Sequence, residues 1–200
     1  MAKLYFRYGT MNSGKTIDII KVAYNYYEMG MKTLVIKPAI DIKGNNNIVA
    51  RNGLTRQADY LIKSKDNIYD LLKGKLSDIK CILVDESQFL LPQQVDELAT
   101  IVDEYNIPII CYGLKTDFQS YLFSGSKRLL EVADSLEELK TICPCGKKAL
   151  FNARLKEGEF VFTGEQVIID GNAQYKALCR ECYQEAERKA KTKTKKNTRN

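Results

Sequence analysis

Residues 8 to 20 read YGTMNSGKTIDII, and within them Gly9, Gly14, Lys15 and Thr16 fit the spacing G-x-x-x-x-G-K-[ST]. That spacing suits a phosphate. Glycines let the backbone curl, so that N–H groups along Gly9, Thr10, Met11, Asn12, Ser13 and Gly14 converge on one anion. A helix starting near Gly14 turns the positive end of its dipole to the same place. Lys15 then adds charge at the β- and γ-phosphates, and the Thr16 hydroxyl is a ligand for Mg²⁺. A second element of this chemistry is ILVDE, residues 82 to 86. Asp85 stands at the end of an apolar run, where an acid holds Mg²⁺ beside a triphosphate. Side chains alternate along an extended chain, so adjacent Glu86 faces elsewhere. There it can take a proton from an attacking hydroxyl or water. From the residues alone, Glu86 as a solvated strand-end acid stays open.

Four of the six cysteines form two close pairs, Cys143 with Cys145 and Cys179 with Cys182. C-x-x-C spacing lets two thiolates bind one tetrahedral ion, and four thiolates leave no open position for chemistry. The first pair is a shorter C-x-C, so both zinc and a site with weak or absent metal remain open. Cys81 and Cys111 lie in apolar runs and read as core thiols.

The elements that must position these groups are legible in the first ~115 residues. KLYFRY, TLVIKP, CILVDE and IPIICYGL are short apolar runs, as in buried strands. KTIDIIKVAYNYYEMG and LPQQVDELATIVDEY carry apolar residues at helical spacing. This alternation predicts an α/β fold, a parallel sheet with helices on both faces. Residues 41–58 lack clear periodicity, and after residue 140 the pattern becomes hairpin-like. The expected division is 1–140 for ATP binding, 141–185 for a cysteine-bearing domain, and 186–200 as a basic, disordered tail.

Seven of the 31 Lys and Arg residues, and one of the 25 acids, lie in residues 186–200. Without that stretch 24 of each remain, so the net charge of +6 resides in the tail. A neutral body argues against specific nucleic-acid binding; the tail can touch polyanions non-specifically or simply aid solubility. No run reaches the ~18 apolar residues of a membrane span, and the N-terminus reaches a polar loop too soon for a secretory signal. The expectation is a soluble, cytoplasmic chain. The absence of histidine excludes Ser/His and His–metal catalysis. No N-K-x-D guanine-reading motif is present.

GTMNSGKT, VDESQF, GLKTDFQ and GEQVIIDGNAQYKALCRECY, in that order, together resemble the zinc-containing thymidine kinases, over residues 3 to 185. The resemblance implies a RecA-like phosphate-loop sheet with a small zinc-binding lasso domain. It implies transfer of the γ-phosphate of ATP to the 5′-hydroxyl of thymidine or deoxyuridine, in pyrimidine salvage for DNA synthesis. Glu86 aligns with the family's general base, residues Gly9 to Thr16 with Asp85 and Gln88 with its ATP contacts, and Thr16 and Asp85 with its Mg²⁺ contacts. Met11, Leu114 and Phe118 align with apolar residues around the base, which without the resemblance read as core packing. Tyr175 aligns with the aromatic residue near the base and sugar. Gln166, Val167, Ile168, Ile169 and Asp170 align with the loop that closes over the nucleoside, and Cys143, Cys145, Cys179 and Cys182 with structural Zn²⁺. A homotetramer and feedback inhibition by thymidine triphosphate are further implications. Two positions depart from the family pattern: Asp41-Ile42-Lys43 stands where Asp-x-Arg is common, and Thr10 where proline is usual. The rival from another class is a nucleic-acid-dependent phosphate-loop ATPase with a zinc site; a nucleotide sensor without turnover is disfavoured by Glu86.

Overall fold

The computed structural model describes residues 1–40, 46–167 and 174–197, with side chains through residue 192. Lys43, Ile168, Ile169 and Asp170 lie outside the described residues. Two compact units emerge. The larger comprises Met1–Tyr8, Gly14–Lys115 and Phe123–Leu139; the smaller comprises Gly9–Ser13, Thr116–Leu122 and Lys140–Asn200.

The larger unit is built on strands β1 (Leu4–Gly9), β2 (Lys32–Pro38), β5 (Tyr60–Ile62), β6 (Ile79–Val84), β7 (Ile109–Gly113) and β8 (Ser135–Leu139). Their order across the sheet is β5-β2-β6-β7-β1-β8. Strand pairs β1–β7, β6–β7, β2–β6 and β2–β5 are all parallel. Central parallel strands are covered on both faces, which explains their unbroken apolar runs. Alternation sorts those runs into two layers. Leu34, Ile36, Ile82, Val84, Ile109 and Cys111 enter one core; Val35, Cys81, Leu83, Ile110 and Tyr112 enter the other.

Helix α1 (Lys15–Glu28) closes the second core with Ile19 and Ala23. The first core is closed by α2 (Ile68–Leu72), α3 (Pro92–Tyr105) and α4 (Ser124–Val132). Helix α3 shows why its sequence folds so. Pro92 opens it, where a missing N–H costs nothing. The Gln94 side chain reaches back to accept from the Leu91 N–H at 3.1 Å. Val95, Leu98, Ile101 and Val102 form its buried stripe. The hairpin of β3 (Asn47–Val49) and β4 (Thr55–Gln57) completes this unit, with Ile48 buried in the second core.

The smaller unit centres on an antiparallel sheet, with β9 (Phe151–Lys156) flanked by β10 (Glu159–Val161) and β11 (Gln174–Leu178). Helix α5 (Arg180–Asn197) packs Tyr183 and Ala186 against Ala153, Ala177 and Leu178. Much of the stretch expected as a disordered tail therefore continues a helix. Pairs Lys189–Glu185 and Lys191–Glu187, spaced i,i+4, support it there.

Candidate active site

The glycine loop joins β1 to α1. Its left-handed turns fall at Asn12 (φ 67) and at Gly14 (φ 83), which immediately precedes the helix. Gly14 needs no side chain to hold that conformation, and its carbonyl accepts the first helical bond, from Asp18 N–H at 2.9 Å. Lys15 is buried at the helix start, and Thr16 follows it half-buried.

Strands β1 and β6 run parallel with β7 between them, so their C-terminal ends share one edge of the sheet, about 10 Å apart. At the end of β6, Asp85 is buried and its Oδ1 accepts from the Glu86 N–H at 3.0 Å. Glu86 itself is left-handed, φ 48 and ψ 38, a conformation that costs a non-glycine residue on the order of 1–2 kcal/mol. Such strain persists only where neighbours hold it, and it concentrates at functional positions. The holder is Gln88, only 1% exposed. Its Nε2 donates to Glu86 Oε2 at 2.6 Å, and its Oε1 accepts from the Leu114 N–H at 3.0 Å. Both ends of the amide are thus engaged by protein groups. Gly113, at the end of β7, makes room for it: a Cβ there would lie 2.8 Å from both Gln88 Oε1 and Ser87 Oγ.

A half-buried network ties α1 to β1 and β7. Arg7 donates to Asp18 at 2.7 Å and to Tyr112 at 3.0 Å, and Tyr112 donates to Asp18 at 2.9 Å. Burial pushes the Asp18 carboxyl up, but hydrogen bonds from Lys21 and Tyr112 and the Arg7 charge outweigh it and hold it below the usual carboxylate range.

In the smaller unit the residues expected near a nucleoside base gather on one face of β9. Phe118 is buried in a tight turn, where Asp117 Oδ1 accepts from the N–H groups of Gln119 and Tyr121, and Tyr183 donates to the Phe118 carbonyl at 2.6 Å. Tyr175, half-buried on β11, pairs with Arg154 of β9. Gln166 donates to Asp117 Oδ2 at 2.9 Å, and Val167 is half-buried beside it in sequence. Met11 also belongs to this unit, its N–H donating to Asn152 Oδ1 at 2.8 Å, while Asn152 Nδ2 donates to the Thr116 carbonyl at 3.2 Å. Leu114 belongs to the larger unit. Asn152 and Arg154 were missed from sequence. They are polar residues two apart in FNARL, a pattern that reads as a solvated hairpin face; only its alternation with Ala153 hinted at burial.

The four cysteines meet. Their Sγ atoms all lie within 4.8 Å of one another, and Cys145 and Cys179 are 3.6 Å apart. Tetrahedral thiolate coordination at about 2.3 Å sets sulfurs about 3.8 Å apart, so the donor set fits one ion. The shortened C-x-C is accommodated by a tight hairpin: Cys143 N–H donates to the Lys147 carbonyl and Gly146 N–H to the Cys143 carbonyl, both at 2.8 Å. Burial pushes the Cys143 thiol up, but N–H donors from Cys145 and Cys179 outweigh it and bring it down to about 7. That favours a thiolate at Cys143, whereas hydrogen bonds with Cys145, Cys179 and Cys143 push the Cys182 thiol up to about 12, so without a metal the cluster keeps a proton there.

Residues 2–183 match the family model described as Thymidine kinase. Proteins named thymidine kinase are similar along most of their length. One from Mannheimia succiniciproducens is 51% identical over 184 residues, covering 90% of this chain and 94% of that protein. One from Haemophilus influenzae is 49% identical over 189 residues, 92% and 97% of the two chains. One from Lactiplantibacillus plantarum is 48% identical over 185 residues, 92% and 96%. Among solved structures, the Pif1 helicase from Candida albicans overlaps 70% of this chain and 36% of its own at a TM-score of 0.43 and 12% identity, too distant to carry any argument. With a glycine-rich phosphate-loop sequence, four converging thiols and these relatives, the chain belongs to the thymidine kinase family.

Proposed function

We propose that this chain transfers the γ-phosphate of ATP to the 5′-hydroxyl of thymidine or deoxyuridine, as a cytoplasmic salvage enzyme. The observation that carries the chemical part is the Asp85–Glu86–Gln88 arrangement: a strained acid with its carboxylate held at 2.6 Å, directly after a buried aspartate on the phosphate-loop edge of the sheet. A solvated strand-end acid would need neither the strain nor the clamp.

In this reading Gly9, Thr10, Met11, Asn12, Ser13 and Gly14 cradle the phosphates with backbone N–H groups, and Lys15 lies along the β- and γ-phosphates. Thr16 and Asp85 would hold Mg²⁺, which supplies charge neutralisation on the triphosphate when bound. Glu86 accepts the proton of the 5′-hydroxyl as its oxygen attacks the γ-phosphorus; the bond to the β–γ bridging oxygen breaks and ADP leaves. Positioning and charge compensation contribute most of the acceleration. Met11, Leu114, Phe118 and Tyr175 surround the base and sugar, with Gln166, Val167, Ile168, Ile169 and Asp170 along the nucleoside loop. Zn²⁺ on the four thiolates would fasten the β9–β11 sheet and α5 together and take no part in the transfer. A homotetramer and inhibition by thymidine triphosphate complete the proposal. Exposed Ile17, Tyr24 and Tyr27 on α1 form an apolar surface that a second copy would cover.

The test is one assay: purified chain, Mg·ATP and each of the four deoxynucleosides. Monophosphate is expected from thymidine alone, and from added deoxyuridine. Glu86→Gln should still bind ATP and thymidine yet lose at least about a hundredfold in kcat. Turnover unchanged in that variant removes Glu86 as the base. ATP hydrolysis stimulated by DNA without any nucleoside would instead favour the nucleic-acid-dependent ATPase.

A further inference from the structure

Arg154 is the bulkiest of the fully buried side chains, only 2% exposed, in the middle of a three-stranded sheet. Burying a guanidinium is costly unless its donors are met. Here three of them are. Nη1 donates to the Glu165 carbonyl at 2.7 Å, Nη2 to the Gln166 carbonyl at 3.0 Å, and Nε to the Tyr175 hydroxyl at 3.0 Å. Its Cζ lies 3.6 Å from the Phe118 ring centroid and 5.6 Å from that of Tyr175. Among the described residues no carboxylate pairs with it. A group held only by carbonyls, a phenol and two ring faces is not a surface ion pair drawn inward. It joins three separate stretches: the Phe118 turn, the β11 tyrosine and residues 165–166.

We infer that Arg154 is the positioning residue of the nucleoside half of the site, fixing Phe118, Tyr175 and the start of the segment after Gly164 before any nucleoside arrives. The inference rests on the proposed function. Three consequences follow from the chemistry. The guanidinium lies over one face of Phe118 and fixes that buried ring in place. The Tyr175 oxygen accepts from Arg154, so its own proton is left to donate to a sugar or base oxygen. The Glu165 and Gln166 carbonyls are turned inward onto the guanidinium, which fixes the backbone at those two residues. Gln166 adds a second pin through Asp117, and Gln119 a third, its Nε2 donating to the Phe162 carbonyl at 3.1 Å. Lysine keeps the charge but has no fork, so it can reach only one of these acceptors at a time.

The experiment has two arms. In the first, ligand-free protein is cut with a glutamate-specific protease, and the rate after Glu165 is compared with the rate after Glu157. Glu165 is exposed, so slow cleavage there reports the grip on its carbonyl. The wild-type chain should be cut after Glu165 at least about tenfold more slowly than Arg154→Lys or Arg154→Met. In the second arm, the same variants should raise the KM for thymidine on the order of tenfold or more, while the KM for ATP stays within about twofold. Bound metal and far-UV dichroism check that the variants fold. Rapid cleavage after Glu165 in the wild-type chain itself overturns the clamp without recourse to any variant. Faster cleavage with an unchanged thymidine KM overturns its link to nucleoside binding. Failure of the wild-type chain to phosphorylate thymidine strikes the proposed function instead, and the protease arm still reads the clamp.

Discussion

Gln88→Met is the substitution that separates packing from hydrogen bonding at the acid pair. Methionine nearly fills the glutamine volume but offers neither the amide donor nor the acceptor. The first loss is a charge-assisted bond to Glu86 at 2.6 Å, worth about 1.5–3 kcal/mol. The second leaves the Leu114 N–H without its acceptor beside a buried side chain, a further penalty of about 1–3 kcal/mol. Together these place the destabilisation at about 2.5–6 kcal/mol, or roughly 5–24 °C in Tm for a chain of this size. Catalysis should suffer separately. Without its clamp, the Glu86 carboxylate spreads over several rotamers, and each 1.4 kcal/mol of lost orientation is a factor of about ten in rate. Steady-state kinetics at a temperature well below the lowered Tm should show kcat down about 10–100-fold with the KM for ATP within about twofold. A folded Gln88→Met protein with kcat within twofold of the parent would refute the claim that Gln88 orients the base.

Gly113→Ala should mimic that loss, because its Cβ would sit 2.8 Å from Gln88 Oε1 and Ser87 Oγ; we expect about 1–3 kcal/mol in denaturant unfolding, and less than additive loss when combined with Gln88→Ala. Chelation should release one metal per chain and lower the Tm, and elemental analysis of Cys182→Ser should show the same depletion. Metal retention should fall as pH drops into the acid range, since protons compete with the metal for the four thiolates. In the metal-free protein the same sign holds for Cys143: its contribution is fully present only above the unfolded thiol range and is lost as pH falls through about 7.

Long-range burial decided what was legible. TLVIKP, CILVDE and IPIICYGL announce central parallel strands because both faces of each are covered, so no polar residue interrupts them. The glycine loop is legible because phosphate chemistry fixes its residue types in series. Short edge strands are not. Residues 135–139, SLEEL, pair at the sheet margin with most side chains half or fully exposed, so no periodicity marks them. The five residues of α2 are held by Asn67 and by Glu97 from 29 residues away, a partner no local pattern names. The hydrogen bond between Gln88 and Leu114 was not legible, because the two lie 26 residues apart. Arg154 was hidden most thoroughly, since a buried guanidinium looks like a surface one until the carbonyls that satisfy it are known.

The five residues Gly9–Ser13 pack with the cysteine-bearing unit, through Met11 and Asn152, although they interrupt the sequence of the sheet-bearing one. In the proposed reading, that arrangement gives the small unit a share in nucleotide handling. Grafting residues 140–200 from a relative onto this sheet would exchange the floor on which half the glycine turn rests. Positions 141 and 152 carry the contacts to that turn, so, in the proposed reading, a swap that ignored them would disturb the donor nucleotide even where every pyrimidine contact had been preserved.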